Sequence, residues 1–392
     1  MGLRRNLVLL LAAIVAIGAG EETWMRFLPK YLESLGASAA VIGLFDALKT
    51  LLGAVYAYPG GVLVDRWGHR RALVFFNLVS IAGYTVVLLF PHWAAVLAGM
   101  FLFLAWSNLS LPATFSLVGS TLAASQYTMG IGVQSLIKRL PILIGPIAGG
   151  LLIDRLGTTG GVRAGVILSI GLGACSVLIQ RGIEEGAAGA VADPRGFLAV
   201  VRDLDPRLKG LLFSDILIRF CERIPFAWVV IYAMDHARVS ASGVGVLIAI
   251  EMLTAIACYV PVARLADRHG REPFVIATFV FFTLFPLTLL AAKSFTWLAL
   301  AFVVRGLKEF GDPARKALII QYCRAETPET RGREVGAYYL IRDTLVSAGS
   351  FLGAALWVVS PEVNFLSAAA IGAAGTVVYL ASLRFRPTAP RP

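Results

Sequence analysis

Apolar residues run in long continuous blocks along this chain, separated by short polar breaks, and show neither strand-like alternation nor a soluble helix stripe. Each block is about 20 residues, the length a helix needs to cross the hydrocarbon core of a bilayer. In that solvent only helices and closed barrels satisfy their own backbone hydrogen bonds. The blocks predict helices over 7–31, 41–63, 73–91, 93–118, 128–153 and 162–181, then over 209–234, 242–265, 273–292, 295–321, 333–358 and 363–384. Arg4-Arg5 followed by Leu7 to Ala19 has the form of a signal peptide. The run continues to Phe27 and eleven more spans follow, so it is read as an uncleaved first helix. The seventh span is the least apolar, with Asp215, Arg219, Glu222 and Arg223 between Phe213 and Ile231. Residues 182–208 form the one long interior break, where Glu184, Glu185, Gly186 and Gly189 interrupt the pattern. Asp193-Pro194 and Asp205-Pro206 each read as a helix start, with Asp as N-cap and Pro in the first turn. A short amphipathic helix is expected from about Arg195 to Arg202.

The polar breaks repeat. Gly61-Val62-Leu63-Val64-Asp65-Arg66-Trp67-Gly68-His69-Arg70-Arg71 returns as Ala263-Arg264-Leu265-Ala266-Asp267-Arg268-His269-Gly270-Arg271, so Asp65 and Asp267 lie 202 residues apart, as do Pro59 and Pro261. Farther on the spacing is 204: Gly132 with Gly336, Lys138 with Arg342, Gly145 with Gly349, Gly149 with Gly353. A period this long marks a duplicated half-protein. It also argues for the seventh span, since a helix has to cross there to align the second copy. The expected domains are 1–181 and 209–392, joined by a linker at 182–208.

The repeated stretch resembles the loop motif between the second and third helices of the major facilitator superfamily, Gly-x-x-x-Asp-Arg-x-Gly-Arg-Arg. The first copy keeps Gly61, Asp65, Arg66, Gly68, Arg70 and Arg71; the second keeps Asp267, Arg268, Gly270 and Arg271, with Ala263 and Glu272 as departures. The resemblance implies an all-α membrane protein of twelve transmembrane helices in two pseudosymmetric six-helix bundles. Helices 1, 4, 7 and 10 would line a cavity, and 3, 6, 9 and 12 would face lipid. These motif residues would gate the cycle: Asp65 is expected near the N-terminus of the eleventh helix, around Gly332 to Gly336, where the helix dipole favours an anion. Asp267 would do the same against the fifth helix.

Composition agrees with membrane insertion. Hydrophobic residues make up 58% of the 392 and charged residues only 15%, against about a quarter in soluble domains. The net charge of +11 invites a nucleic-acid reading. With the N-terminus in the cytoplasm, however, only Lys30, Arg155, Arg163, Arg238 and Lys293 fall outside, which is the positive-inside pattern. The basicity orients the chain and calls for no nucleic-acid partner. Cys175, Cys221, Cys258 and Cys323 stand singly, and the four histidines occupy loops, so no disulfide framework, metal site or cofactor is expected. No Lys follows a Gly in a phosphate-loop pattern, which sets ATP-driven transport aside.

Charges inside spans carry the candidate chemistry, since each costs roughly 2.5–3.5 kcal/mol to insert at mid-bilayer. They are Glu21, Glu22, Arg26, Asp46, Lys49, Lys138, Arg139, Asp215, Arg219, Glu222, Arg223, Glu251, Arg305, Lys308, Glu309, Asp312, Arg342 and Asp343. Helical spacing pairs Glu22 with Arg26, Asp46 with Lys49, Asp215 with Arg219, Arg305 with Glu309 and Lys308 with Asp312. Such pairs either lock helices together or line a polar cavity. Glu21, Glu22 and Asp46 are the carboxylates best placed to carry a proton. Lys49 and Glu251 are repeat mates of opposite sign and are expected to pair.

Gly145-Pro146-Ile147-Ala148-Gly149-Gly150 resembles the core of the antiporter motif of drug exporters in the superfamily; such small residues also serve close helix packing alone. Pro141 replaces a usual Gly, and Trp106-Ser107-Asn108 brings no Arg to the fourth helix, which leaves Arg305 as the candidate replacement. The expected function is secondary transport of a small organic solute by alternating access, as proton-coupled efflux driven by the proton gradient. Uptake or exchange of an organic anion, motivated by Arg26, Lys49, Lys138 and Arg139, is the alternative. A non-transporting membrane sensor is the third reading. The expected setting is a monomer in the inner membrane with both termini cytoplasmic.

Overall fold

A computed structural model describes residues 2–110, 127–184, 201–202, 204–323 and 328–384. The linker helix expected near Arg195 and Gly132 of the repeat lie outside the described residues or side chains. Among the described residues the chain is all helix, without strands. Eight stretches are long and apolar enough to cross a membrane, one of them the 45-residue Ile137–Arg181 that holds the fifth and sixth spans. The seventh, tenth and eleventh spans are too charged or broken to qualify by hydropathy, and with them the spans number twelve.

Several spans are broken where the sequence pattern suggests continuity. The first is a helix over Gly2–Glu21, a 3-10 turn over Met25–Phe27 and a second helix over Leu28–Ser34. The Thr23 hydroxyl donates to the Gly20 carbonyl at 2.6 Å, satisfying an acceptor freed by the break. The fifth and sixth spans form one helical run, Tyr127–Arg181, turned only at Gly157, whose φ of 73° suits glycine. The loop expected at 154–161 is therefore mostly helical.

The seventh span, Pro206–Phe226, starts as its Asp-Pro pair predicts, with the Asp205 carboxylate accepting from the Arg207 N–H at 2.7 Å. The tenth, expected to be continuous over 295–321, is Phe295–Leu307 and then Asp312–Tyr322. Pro313 in the first turn is the same start signal as at Pro206. At the break the Gly311 N–H donates to the Thr278 hydroxyl at 2.5 Å. Both copies of the repeated motif end a helix on a left-handed glycine: Gly68 (φ 78°) after Ala39–Trp67 and Gly270 (φ 88°) after Ala241–His269.

The chain packs as two compact units, Met1–Ala192 with Val230–Met252, and Asp193–Val229 with Leu253–Pro392. The first unit is centred on Leu10, Ile14 and Ile17 against Leu73, Phe76 and Trp106. The second packs Leu208, Leu211 and Ile218 against Phe279, Leu318, Tyr338 and Tyr379. Buried amides join helices inside each unit. The Asn77 amide donates to the Gly173 carbonyl at 3.1 Å, and the Asn364 amide to the Gly353 carbonyl at 2.7 Å. Interhelical bonds of this kind are worth about 0.6 kcal/mol on average in a membrane. Large apolar side chains such as Val8, Phe101, Leu178, Val358 and Val377 point outward, as expected of faces in contact with lipid tails.

Candidate functional site

In the first unit the break in the first span turns its two adjacent glutamates apart. Glu21 goes inward, 8% exposed. Its carboxylate accepts from the Tyr84 hydroxyl at 2.5 Å and the Ser107 hydroxyl at 3.0 Å, on the third and fourth spans. Trp24 and Phe103 pack on the Tyr84 ring, at centroid distances of 6.1 and 6.3 Å, and fix that donor. Trp24 is in turn held by the Ser169 hydroxyl, which accepts from its indole N–H at 2.9 Å. Among the described residues Glu21 has no ion-pair partner; Lys49 and Lys138 act on it only at longer range. Glu22 pairs with Arg26 at 2.9 Å, as its spacing predicts, and Glu251 lies close enough to act on Arg26. Asp46 is buried on the second span, and the Arg139 guanidinium donates to the Met252 sulfur at 3.5 Å.

The glycine-rich stretch of the fifth span divides its contacts between two helices. A methyl group on Gly145 would lie 2.6 Å from the Glu22 Cβ, and one on Gly149 would overlap the Thr23 carbonyl, so these two admit the broken first span. One on Gly150 would overlap the Ala241 carbonyl, and Gly245 in turn leaves room for the Pro146 carbonyl, so Gly150 and Pro146 admit the eighth span. One turn on, the Asp154 carboxylate accepts from the Ala241 and Ser242 N–H groups at 2.9 and 3.0 Å, capping that helix. Lys30 bridges Asp235 at 2.5 Å and Glu33 at 2.7 Å. Sequence reasoning passed over Asp154, Lys30 and Asp235 because they sit at span ends, where charge is ordinary.

In the second unit most buried charges belong to ion-pair networks. Asp215, 1% exposed, receives Arg315 at 2.6 Å, the Tyr338 hydroxyl at 2.9 Å, Arg342 at 3.3 Å and Arg219 at 3.8 Å. Arg315 also binds Asp312 at 2.6 Å. Glu222 takes Arg219 at 2.6 Å and Lys308 at 2.8 Å, and Arg342 pairs with Asp343 at 2.7 Å. The pair expected between Lys308 and Asp312 does not form: the tenth span unwinds between them, and Asp312 turns to Arg315 and Lys316. Arg315 and Tyr338, missed in the sequence, were open to inference only for Arg315, three residues after Asp312 in a helix. Arg305 is buried, with its guanidinium 5.1 Å from the Phe285 ring centre and 5.4 Å from that of Phe302. Arg223 lies over Phe226 at 4.8 Å, and Glu309 is half-buried beside Lys308.

Of the gating set, Gly68 and Gly270 form the turns already described. Gly61 lies within the second span, Arg66 and Arg268 are exposed, Arg70 opens the third span, and Arg271 donates to the Gln321 side chain at 2.9 Å. The side chains of Asp65 and Asp267 lie outside the described ones, so their expected contacts with the eleventh and fifth helices are not placed. Among the described residues, then, the geometry offers one buried carboxylate held by hydroxyls alone and a second, separate set held by cations.

The family profile described as Major Facilitator Superfamily matches residues 10–204 and 210–392. A multi-drug resistance efflux pump PmrA homolog of Lactococcus lactis is 21% identical over 364 residues, covering 90% of this chain and 88% of that protein. The multidrug resistance protein MdtG of Serratia proteamaculans is 26% identical over 384 residues, covering 90% and 87%. Among solved structures, a POT family transporter in complex with a thioalcohol-conjugated peptide superposes with a TM-score of 0.80 at 13% identity, over 97% of this chain and 96% of that one.

Proposed function

The chain belongs to the major facilitator superfamily, and we propose that within it the protein is a proton-coupled exporter of small organic solutes. Glu21 carries this reading. A proton carrier has to be charged in one state and neutral in another, and a carboxylate clamped by a guanidinium stays charged. Glu21 is buried and bound by two hydroxyls, which accept its proton as readily as they donate to its anion. Lys49 and Lys138, near it without touching it, are cations whose approach or withdrawal would drive the proton off or let it return. The relatives named for multidrug efflux support the direction of transport. The distribution of loop Lys and Arg favours cytoplasmic termini, and the setting we propose is the inner membrane, as a monomer.

The test uses protein in proteoliposomes with an internal pH dye and an imposed pH gradient. Glu21→Gln is isosteric and neutral, so solute-triggered proton movement is expected to vanish while exchange of labelled solute across the membrane persists. Proton movement retained in that variant would sink the assignment.

A further inference from the structure

The duplication and the packing divide the chain differently at one place. By the repeat, residues 230–252 belong to the second half, yet they pack with the first unit. The transferred piece is the end of the seventh span, the turn after it and the start of the eighth, on the side that the loop charges assign to the outside. Three features hold it there. Gly150 and Gly245 let the fifth and eighth spans meet backbone to backbone: a methyl group on either would lie 2.4 Å from a carbonyl oxygen of the other helix. The Asp154 carboxylate caps the eighth span through the Ala241 and Ser242 N–H groups. Lys30 of the first span binds Asp235, with Glu33 as its second partner. Glu33 and Asp235 are 202 residues apart, the period of the repeat, as are Ser38 and Ser240, and Gly43 and Gly245. One lysine thus gathers both copies of the same acidic position. Asp235 reaches it from a π turn over Tyr232–His236, closed by the Ala237 N–H on the Tyr232 carbonyl at 3.0 Å. Such turns are rare and concentrate at functional sites. Arg238, just beyond, is left-handed with φ 54°, a conformation that costs a non-glycine residue energy.

Resting on the exporter reading, we propose that Lys30, Asp154 and Asp235 form the outer gate of the transport cycle. An ion pair and a helix cap hold 230–252 on the first unit, and both have to part before solute can leave to the outside. Their strength suits contacts made and broken in every turnover. The Lys30, Asp235 and Glu33 side chains are 19, 38 and 39% exposed, so water replaces the partner that each loses. The N–H groups that Asp154 caps lie at a helix end, where water can also take its place. The Asp215 network, buried from water, is the contrast: it suits a fixed strut. Asp154 acts on the eighth helix as Asp65 of the repeated motif is expected to act on the eleventh, an anion at a helix N-terminus. It lies outside that motif, and its counterpart 204 residues on is Val358. The cap is thus a feature of one copy.

Labelling of a buried thiol tests the gate without solute or gradient. Ala241, 1% exposed, is replaced by Cys in protein whose Cys175, Cys221, Cys258 and Cys323 are Ser, and a hydrophilic maleimide is added to this parent in lipid nanodiscs. Labelling is expected to be at least tenfold slower than for Lys293→Cys, an exposed outer position. Lys30→Gln and Asp154→Ala are each expected to speed labelling of the Ala241→Cys thiol at least fivefold. Exchanging the ion pair, Lys30→Asp with Asp235→Lys, is expected to slow it again, which a general loosening of the fold would not allow. The two single variants break separate contacts, so one reports where the other fails to fold. Equal rates in the parent and both variants, or a parent thiol as reactive as that at position 293, would overturn the proposal. The two readings fail separately. Proton movement retained in Glu21→Gln removes that carrier and leaves the labelling pattern standing; unchanged labelling beside normal proton coupling removes the gate alone.

Discussion

A buried carboxylate can be held by hydroxyls or by cations, and Glu21 and Asp215 are one of each. Replacing Glu21 by Gln removes a charge whose partners are neutral and leaves each hydroxyl an oxygen or an amide to bond. Replacing Asp215 by Asn leaves Arg315, Arg342 and Arg219 facing one another with their shared anion gone. Removing one partner of a buried ion pair costs about 3–5 kcal/mol. Asp215→Asn is therefore expected to lower the unfolding temperature in detergent far more than Glu21→Gln does, which differential scanning fluorimetry reads directly. A similar small shift for both would mean that water reaches the Asp215 network. The local half of this chemistry was legible in the sequence: Glu22 with Arg26 and Asp215 with Arg219 follow from helical spacing. The distant half was not. Tyr84 lies 63 residues from Glu21 and Tyr338 lies 123 from Asp215, and no periodicity relates partners brought together only by packing of separate helices.

Whole helices were the most legible feature, because a bilayer imposes their length, and their interruptions the least. The break of the first span falls at Glu21-Glu22-Thr23-Trp24, a run that contains no Pro and has Gly20 beside it. What makes it tolerable is tertiary: Gly149 and Gly145 of the fifth span give the unwound turn room, and Thr23 closes on Gly20. The break of the tenth span did carry its signal, Asp312-Pro313, set in the charged run 305–316 between the apolar stretches that the pattern joins into one span. The glycine motif thus does what its composition suggests, admitting close helices, and the structure adds which glycine serves which neighbour. Gly149→Ala and Gly150→Ala are each expected to cost about 1–3 kcal/mol through overpacking, one against the first span and one against the eighth. Both should slow transport. Gly171→Ala meets nothing within 4 Å and serves as the matched control. Equal thermal stability and transport in all three variants would refute the packing role.

The duplication is visible in the sequence over the whole molecule, yet the two copies have come to hold different chemistry. Lys138 of the first copy has Arg342 as its counterpart in the second; Lys138 acts on Glu21 from a distance, while Arg342 is clamped between Asp215 and Asp343. The buried carboxylate held by hydroxyls thus lies in one unit, and the carboxylate clamped by guanidinium groups in the other. If Glu21 carries the proton of the proposed exporter, proton and solute binding are linked through the transport cycle, and linkage makes the coupling reciprocal. Solute affinity should then depend on pH through Glu21. Dialysis of a labelled transported solute across a pH series is expected to give an affinity that changes with pH in wild type and is flat over the same range in Glu21→Gln. Isosteric replacement leaves every other charge untouched, so the variant should still bind, fixed at the level of the protonated protein. A pH dependence that survives Glu21→Gln would locate the coupling proton on another carboxylate, with Asp46 the next to replace.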